Sequence, residues 1–67
     1  MNDFLDRLKE EKSELNLKMD SLRKFMDSDK FAEIDNVQMT LINVQLSAME
    51  TYSQCLLERI VRLDITN

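Results

Sequence analysis

Apolar residues recur along both halves of the chain at alternating intervals of three and four residues. In the first half this row, here called ladder 1, comprises Leu5, Leu8, Lys12, Leu15, Met19, Leu22 and Met26. In the second half, ladder 2 comprises Met39, Ile42, Leu46, Met49, Ser53, Leu56, Ile60 and Leu63. Residues spaced in this way form one stripe along a helix, and an apolar stripe is stable only when another surface covers it. The pattern therefore predicts two amphipathic helices.

Folding the chain back between about residues 27 and 35 would cover each ladder with the other. The antiparallel register that follows pairs Leu5 with Leu63, Leu8 with Ile60, Leu22 with Leu46 and Met26 with Ile42. Each ladder contains one polar residue, Lys12 and Ser53, and the two fall in adjacent layers of this register. The sequence thus predicts an all-α fold, an antiparallel two-helix hairpin that resembles a coiled coil.

The bend must be built without glycine or proline, because the chain contains neither. We expect one domain over residues 1–67, with helix 1 over about 3–27 and helix 2 over about 36–64. The connection, residues 28–35, is expected to contain a short helical turn. Asp35 precedes Gln38 by three residues, the spacing at which an acidic side chain caps the first turn of a helix.

A second apolar stripe distinguishes helix 2 from helix 1. Between residues 36 and 57 helix 2 has a single charged residue, Glu50, although ladder 2 occupies only one of its faces. The second stripe comprises Val37, Leu41, Val44, Ala48 and Cys55. A hairpin of this size buries little surface alone, so we predict that this stripe is a subunit interface in a homo-oligomeric helical bundle. An even number of subunits is expected, with a hexamer as one candidate, and a merely tolerant surface is the alternative.

The composition argues against several classes of function. A single cysteine cannot form an internal disulfide, and a chain without histidine is not expected to hold an ordinary zinc ion. The net charge of −4, without long runs of one sign, argues against general binding of DNA through its phosphates. The start does not resemble a signal peptide, and no stretch is apolar enough to suggest a membrane span. We expect a cytoplasmic protein, located in the host-cell cytoplasm if it is phage-encoded.

The chain contains few residues of the kinds that catalysis requires. No histidine can serve as a base, and no glycine-rich loop can hold a phosphate group. Cys55 belongs to the second stripe, which favours burial as a small apolar residue over reactivity. We therefore expect no enzyme activity, no cofactor and no metal.

Three residues are candidates for ligand binding: Lys12, Tyr52 and Arg59. Lys12 replaces an apolar residue in ladder 1 and either fixes the register or offers a cation to an anionic ligand. Tyr52 and Arg59 lie seven residues apart on one edge of helix 2, where they could stack on a base and hold a phosphate. In the alternative interpretation Arg59 pairs with Glu11 across the seam, the line along which the two ladders meet. That edge of helix 1 carries Phe4, Glu11, Lys18 and Phe25.

A family resemblance extends over about residues 5 to 63. The residues that carry it are Glu11-Lys12, Leu15, Leu22, Phe25, Ser28, Phe31, Gln45-Leu46, Ala48-Met49, Tyr52, Leu56 and Arg59-Ile60. They resemble short helical-hairpin proteins of crAss-like and related bacteriophages, grouped with the hairpin domain of phage anti-CBASS and anti-Thoeris sponges. The resemblance implies an oligomer that traps a cyclic oligonucleotide or an ADP-ribose-derived immune signal without cleaving it. We expect the separate N-terminal recognition helix of some sponges to be absent here or reduced to residues 1–3, and only Lys12, Tyr52 and Arg59 match family positions with suitable chemistry.

Three functions remain open at this stage. The first is an anti-defence sponge for a cyclic nucleotide signal. The second is a small helical inhibitor or adaptor whose second stripe docks on a host or phage protein. The third is a structural coiled-coil component of a phage particle.

Overall fold

The fold is an antiparallel pair of long helices joined by a short 3₁₀ helix. A computed structural model describes residues 3–66, so residues 1, 2 and 67 of the predicted domain lie outside the described residues. Helix α1 spans Asp3–Met26, the 3₁₀ helix spans Asp29–Glu33, and helix α2 spans Asn36–Thr66. The molecule is a rod of 49 × 15 × 13 Å. The prediction of an all-α two-helix hairpin is confirmed.

The chain leaves α1 by tightening its last turn. The N–H of Asp27 donates to the carbonyls of both Arg23 (3.1 Å) and Lys24 (3.2 Å), and the N–H of Ser28 donates to the carbonyl of Phe25 (3.0 Å). This shift from hydrogen bonds that span four residues to ones that span three satisfies carbonyl groups at the end of the helix without a residue in the left-handed region. No residue of the described chain has a positive φ angle, which explains how the bend forms without glycine.

Helix α2 begins with a side-chain cap. Asp35 Oδ1 accepts a hydrogen bond from the N–H of Gln38 at 2.9 Å. The contact satisfies one of the backbone donors that have no partner within the first turn, and typically contributes about 1 kcal/mol. It is the contact that the spacing of Asp35 and Gln38 predicts.

The core consists entirely of ladder residues and is thickest away from the bend. Its buried apolar side chains are Leu5, Leu8, Leu15, Met19, Leu56 and Ile60. Leu46, Met49 and Leu63 pack against this cluster and are partly buried. Toward the bend, Leu22, Met26, Met39 and Ile42 are only half-buried. Most of the hydrophobic stabilisation therefore lies in the half of the rod that contains the start of α1 and the end of α2.

The neighbouring residues Leu56 and Leu57 provide a matched test of this core. Leu56 is fully buried, whereas Leu57 is 40% exposed. Leu56→Ala should lower the free energy of unfolding by about 2–5 kcal/mol, because it leaves a cavity between the ladders. Leu57→Ala should cost less than about 1 kcal/mol, as is usual for surface positions. Urea unfolding followed by circular dichroism measures both, and equal effects would contradict the observed ladder packing.

Candidate functional site

The two polar ladder residues meet in the middle of the seam. Lys12 Nζ donates a hydrogen bond to Ser53 Oγ at 2.7 Å, and the Ser53 hydroxyl donates to Asn16 Oδ1 at 3.1 Å. Ser53 is buried and Lys12 is half-buried. The buried hydroxyl thus has both a donor and an acceptor as partners, which offsets the cost of removing it from water. We call Lys12, Asn16 and Ser53 the polar layer.

Each side of the seam is lined by residues spaced seven apart, and side-chain contacts identify the two sides. On one side the Arg59 guanidinium lies 5.7 Å from the centre of the Phe4 ring. On the other side Arg23 forms an ion pair with Glu50 at 3.2 Å. We call these sides the Tyr52 flank and the Arg23 flank. The Tyr52 flank contains Phe4, Glu11, Lys18, Phe25, Gln45, Tyr52 and Arg59.

Arg59 contacts the ring of Phe4 instead of the carboxylate of Glu11. Among the described residues, no ion pair or hydrogen bond joins Arg59 to Glu11, so that alternative is not realised in the structure. The register explains this result. Phe4 lies opposite Arg59, and Glu11 is seven residues further along α1, in the layer of Tyr52. The cation–π contact is worth about 0.5–1 kcal/mol at an exposed site.

The single chain does not join the three predicted ligand residues into one pocket. Tyr52 is 45% exposed and shares its flank with the exposed Arg59. Lys12 instead bonds to Ser53 and, through it, to Asn16, which precedes Arg23 by seven residues and lies on the Arg23 flank. Tyr52 and Arg59 therefore form one exposed surface, while Lys12 belongs to the polar layer. Their contact with a ligand stays a prediction.

An open groove lies on the Tyr52 flank toward the bend. Its volume is about 520 Å³. It is lined by Leu17, Lys18, Ser21, Leu22, Phe25, Gln45 and Met49. The sequence pattern placed Lys18 and Phe25 on this edge but did not reveal the groove. A signal was available in the short Ser21 side chain, which leaves space beside Phe25.

The second stripe of α2 is exposed along its length. Val37, Leu41 and Val44 are 68%, 54% and 60% exposed, and Ala48 and Cys55 are also exposed. Cys55 is therefore not buried within the hairpin, and its predicted burial requires a further surface. The whole predicted interface is accessible to another protein surface.

Within residues 3–66, neither helix combines the length with the apolar character that crossing a membrane requires. The same part of the chain contains no group of three or more acidic, cysteine or histidine side chains that could hold a metal ion.

Comparison with known proteins places the chain among small phage proteins. The family model described as Sequestin matches residues 2–62. A relative from Enterobacteria phage T4, described as an uncharacterized 7.5 kDa protein in the denB-rIIB intergenic region, is 39% identical over 56 residues. That similarity covers 84% of this chain and 88% of the T4 protein. No solved structure matches the chain.

Replacing Lys12 tests what the polar layer contributes to stability. In Lys12→Met the Ser53 hydroxyl still has Asn16 as an acceptor, and methionine suits a ladder position. We expect the free energy of unfolding in urea to stay within about 1 kcal/mol of the parent or to rise. Ser53→Ala, in contrast, leaves the half-buried ammonium without its acceptor and should destabilise by about 1–3 kcal/mol. A large loss in Lys12→Met would mean that the charge itself stabilises the hairpin.

Proposed function

Because the chain belongs to the Sequestin family, we propose that it is a phage anti-defence sponge. It would bind and sequester a cyclic oligonucleotide or an ADP-ribose-derived immune signal without cleaving it. The match to the family model over residues 2–62 carries this proposal, since the family name suggests sequestration. The molecule that is sequestered is our inference from the resemblance to anti-CBASS and anti-Thoeris sponges.

The proposed working form is a homo-oligomer in the host-cell cytoplasm. A rod 15 Å wide has few positions remote from solvent, and the buried apolar cluster is small. Covering the second stripe with another copy would remove Val37, Leu41 and Val44 from water, at about 25 cal/mol for each Å² of apolar surface. An isologous contact, in which both copies use the same stripe, would give an even number of subunits. Hexamers remain one candidate.

Tyr52 and Arg59 support the binding of a nucleotide. The exposed tyrosine ring offers a stacking surface for a base, and the neighbouring guanidinium can bind a phosphate. Lys12 would add a second cation if a neighbouring copy held the nucleotide so that the phosphate of the nucleotide reached the polar layer. To lower the free signal, the dissociation constant should be about 100 nM or less, which corresponds to about −9.5 kcal/mol.

An inhibitor or adaptor of a host or phage protein is the second candidate function. The exposed second stripe favours it, because an apolar helix face can also dock on a different protein. The mass in solution separates the two candidates. A stable oligomer with an even number of subunits supports the sponge, and a monomer–dimer equilibrium supports the adaptor.

Charged substitutions in the second stripe test the assembly. Leu41→Glu and Ala48→Glu place a carboxylate in the proposed interface and leave both ladders intact. We expect the oligomer to dissociate and its melting temperature to fall, because an unpaired buried charge is costly. Light scattering and thermal unfolding measure the two effects. Ser13→Glu, which adds the same charge at an exposed position of α1, should change neither.

The ligand is tested with a panel of cyclic di- and trinucleotides and cyclic ADP-ribose isomers. A member present at 100 times its dissociation constant should stabilise the protein by about 2.7 kcal/mol, which a thermal shift detects. Mass spectrometry of the ligand released by denaturation should find it unchanged. The sponge proposal fails if no member shifts the melting temperature, or if the released ligand has been cleaved.

Tyr52 can report on binding directly, because the chain has one tyrosine and no tryptophan. A base that stacks on its ring should quench the tyrosine fluorescence. Tyr52→Ala should weaken binding by about 1–3 kcal/mol, whereas Tyr52→Phe retains the stacking surface and most of the affinity. Arg59→Ala should cost about 1.5–3 kcal/mol, with Lys9→Ala as a control at an exposed cation on the opposite, Arg23 flank. Equal affinities for all four variants would exclude this surface.

A further inference from the structure

The groove on the Tyr52 flank has the features of a binding site for part of a nucleotide. Resting on the proposed function, we propose that the groove is a nucleobase subsite. The base lies against the apolar wall that includes Phe25 and Met49, and Lys18 binds the phosphate attached to its sugar. This adds a second contact surface to Tyr52 and Arg59 and assigns a role to Lys18.

Size and shape allow this occupant. The groove volume of about 520 Å³ lies within the range of about 300–1,000 Å³ that is usual for small-molecule sites. It is shallow and largely open to solvent, so the sugar and phosphate can extend outward while one face of the base lies on the wall. The volume is sufficient for the base of a nucleoside monophosphate.

The lining has the chemistry that such a molecule requires. Its wall is apolar, formed by Leu17, Leu22, Phe25 and Met49. Among the described residues, Lys18 is the only charged one that lines the groove, so the lining contributes a positive charge in a chain whose net charge is −4. The carboxamide of Gln45 has both donors and an acceptor, which matches the hydrogen-bonding edge of a base.

The polar groups at this site are available for a ligand. Within residues 3–66, the side chains of Lys18 and Gln45 make no hydrogen bond or ion pair. Arg23, in contrast, bonds Asp20 and Glu50, and Lys12 bonds Ser53. Lys9, Lys24 and Lys30 resemble Lys18 in this respect, so it is the position of Lys18 in the groove that distinguishes it. A ligand at Lys18 would therefore form new contacts without breaking existing ones.

The aromatic wall is held in place from behind. The rings of Phe25 and Phe31 meet edge to face, with centres 5.9 Å apart and planes at 85°. Phe31 belongs to the 3₁₀ helix, so the bend supports the ring that faces the groove. Fixing the ring before binding reduces the entropy lost when a base packs on it. The 3₁₀ helix thus contributes to the site as well as closing the hairpin.

Titration of the ¹⁵N-labelled full chain with adenosine 5′-monophosphate tests the subsite by nuclear magnetic resonance. The amide signals of residues 17–25 and 45–49 should shift most. Ribose 5-phosphate, which lacks the base, and adenosine, which lacks the phosphate, should bind the same region more weakly. Lys18→Gln should weaken binding of the monophosphate by about tenfold, the effect of one charge-assisted hydrogen bond, and leave adenosine binding unchanged.

Lys24→Gln is the matched control, because Lys24 is an exposed lysine of α1 outside the groove. It should bind the monophosphate as the parent does. If the monophosphate shifts signals around Tyr52 and Arg59 instead, and Lys18→Gln binds normally, the groove is not the subsite and the proposed function stands. If neither the monophosphate nor any member of the signal panel binds, both proposals are overturned.

Discussion

The polar layer favours the observed alignment of the two helices, and the other features depend on that alignment. Contacts between apolar ladder residues are not directional, so leucines and methionines alone discriminate only weakly against a slip of one helix by seven residues. Such a slip would separate Ser53 from Lys12 and Asn16 and remove both hydrogen bonds of the layer, at a cost of about 1–3 kcal/mol. It would also move Arg59 from the ring of Phe4 to Glu11.

Helix α2 carries out three tasks on three of its faces. Ladder 2 packs against α1, one edge presents Gln45, Tyr52 and Arg59, and the opposite side exposes the second stripe. Under the proposed function these tasks are linked. An interface at the stripe would stabilise α2, and a rigid α2 keeps Gln45 and Tyr52 at a separation of about 10 Å along its axis, given a rise of 1.5 Å per residue.

The sequence predicts the faces of the helices well, because a spacing of three and four residues determines which side chains share a stripe. It also predicts the adjacency of Lys12 and Ser53 and the cap formed by Asp35. It does not predict Asn16 as the third member of the polar layer, because the reach and rotamer of a side chain are not encoded in its spacing. The groove was missed for a related reason, since empty space depends on several small and large side chains together.

The proposed sequestration of a ligand places physical demands that a short, rigid hairpin would meet. A protein that acts by removing a free ligand must be present in amounts comparable with that ligand, which favours a short chain. Such a protein must also bind its ligand tightly although the contact surface with a small ligand is limited. Because few contacts are available, little of the binding free energy can be spent on ordering flexible loops. Here the candidate ligand contacts Tyr52, Arg59 and Lys18 all lie on helices, and a short 3₁₀ helix supports Phe25. A rigid, paired scaffold thus allows a chain of 67 residues to present a prearranged surface.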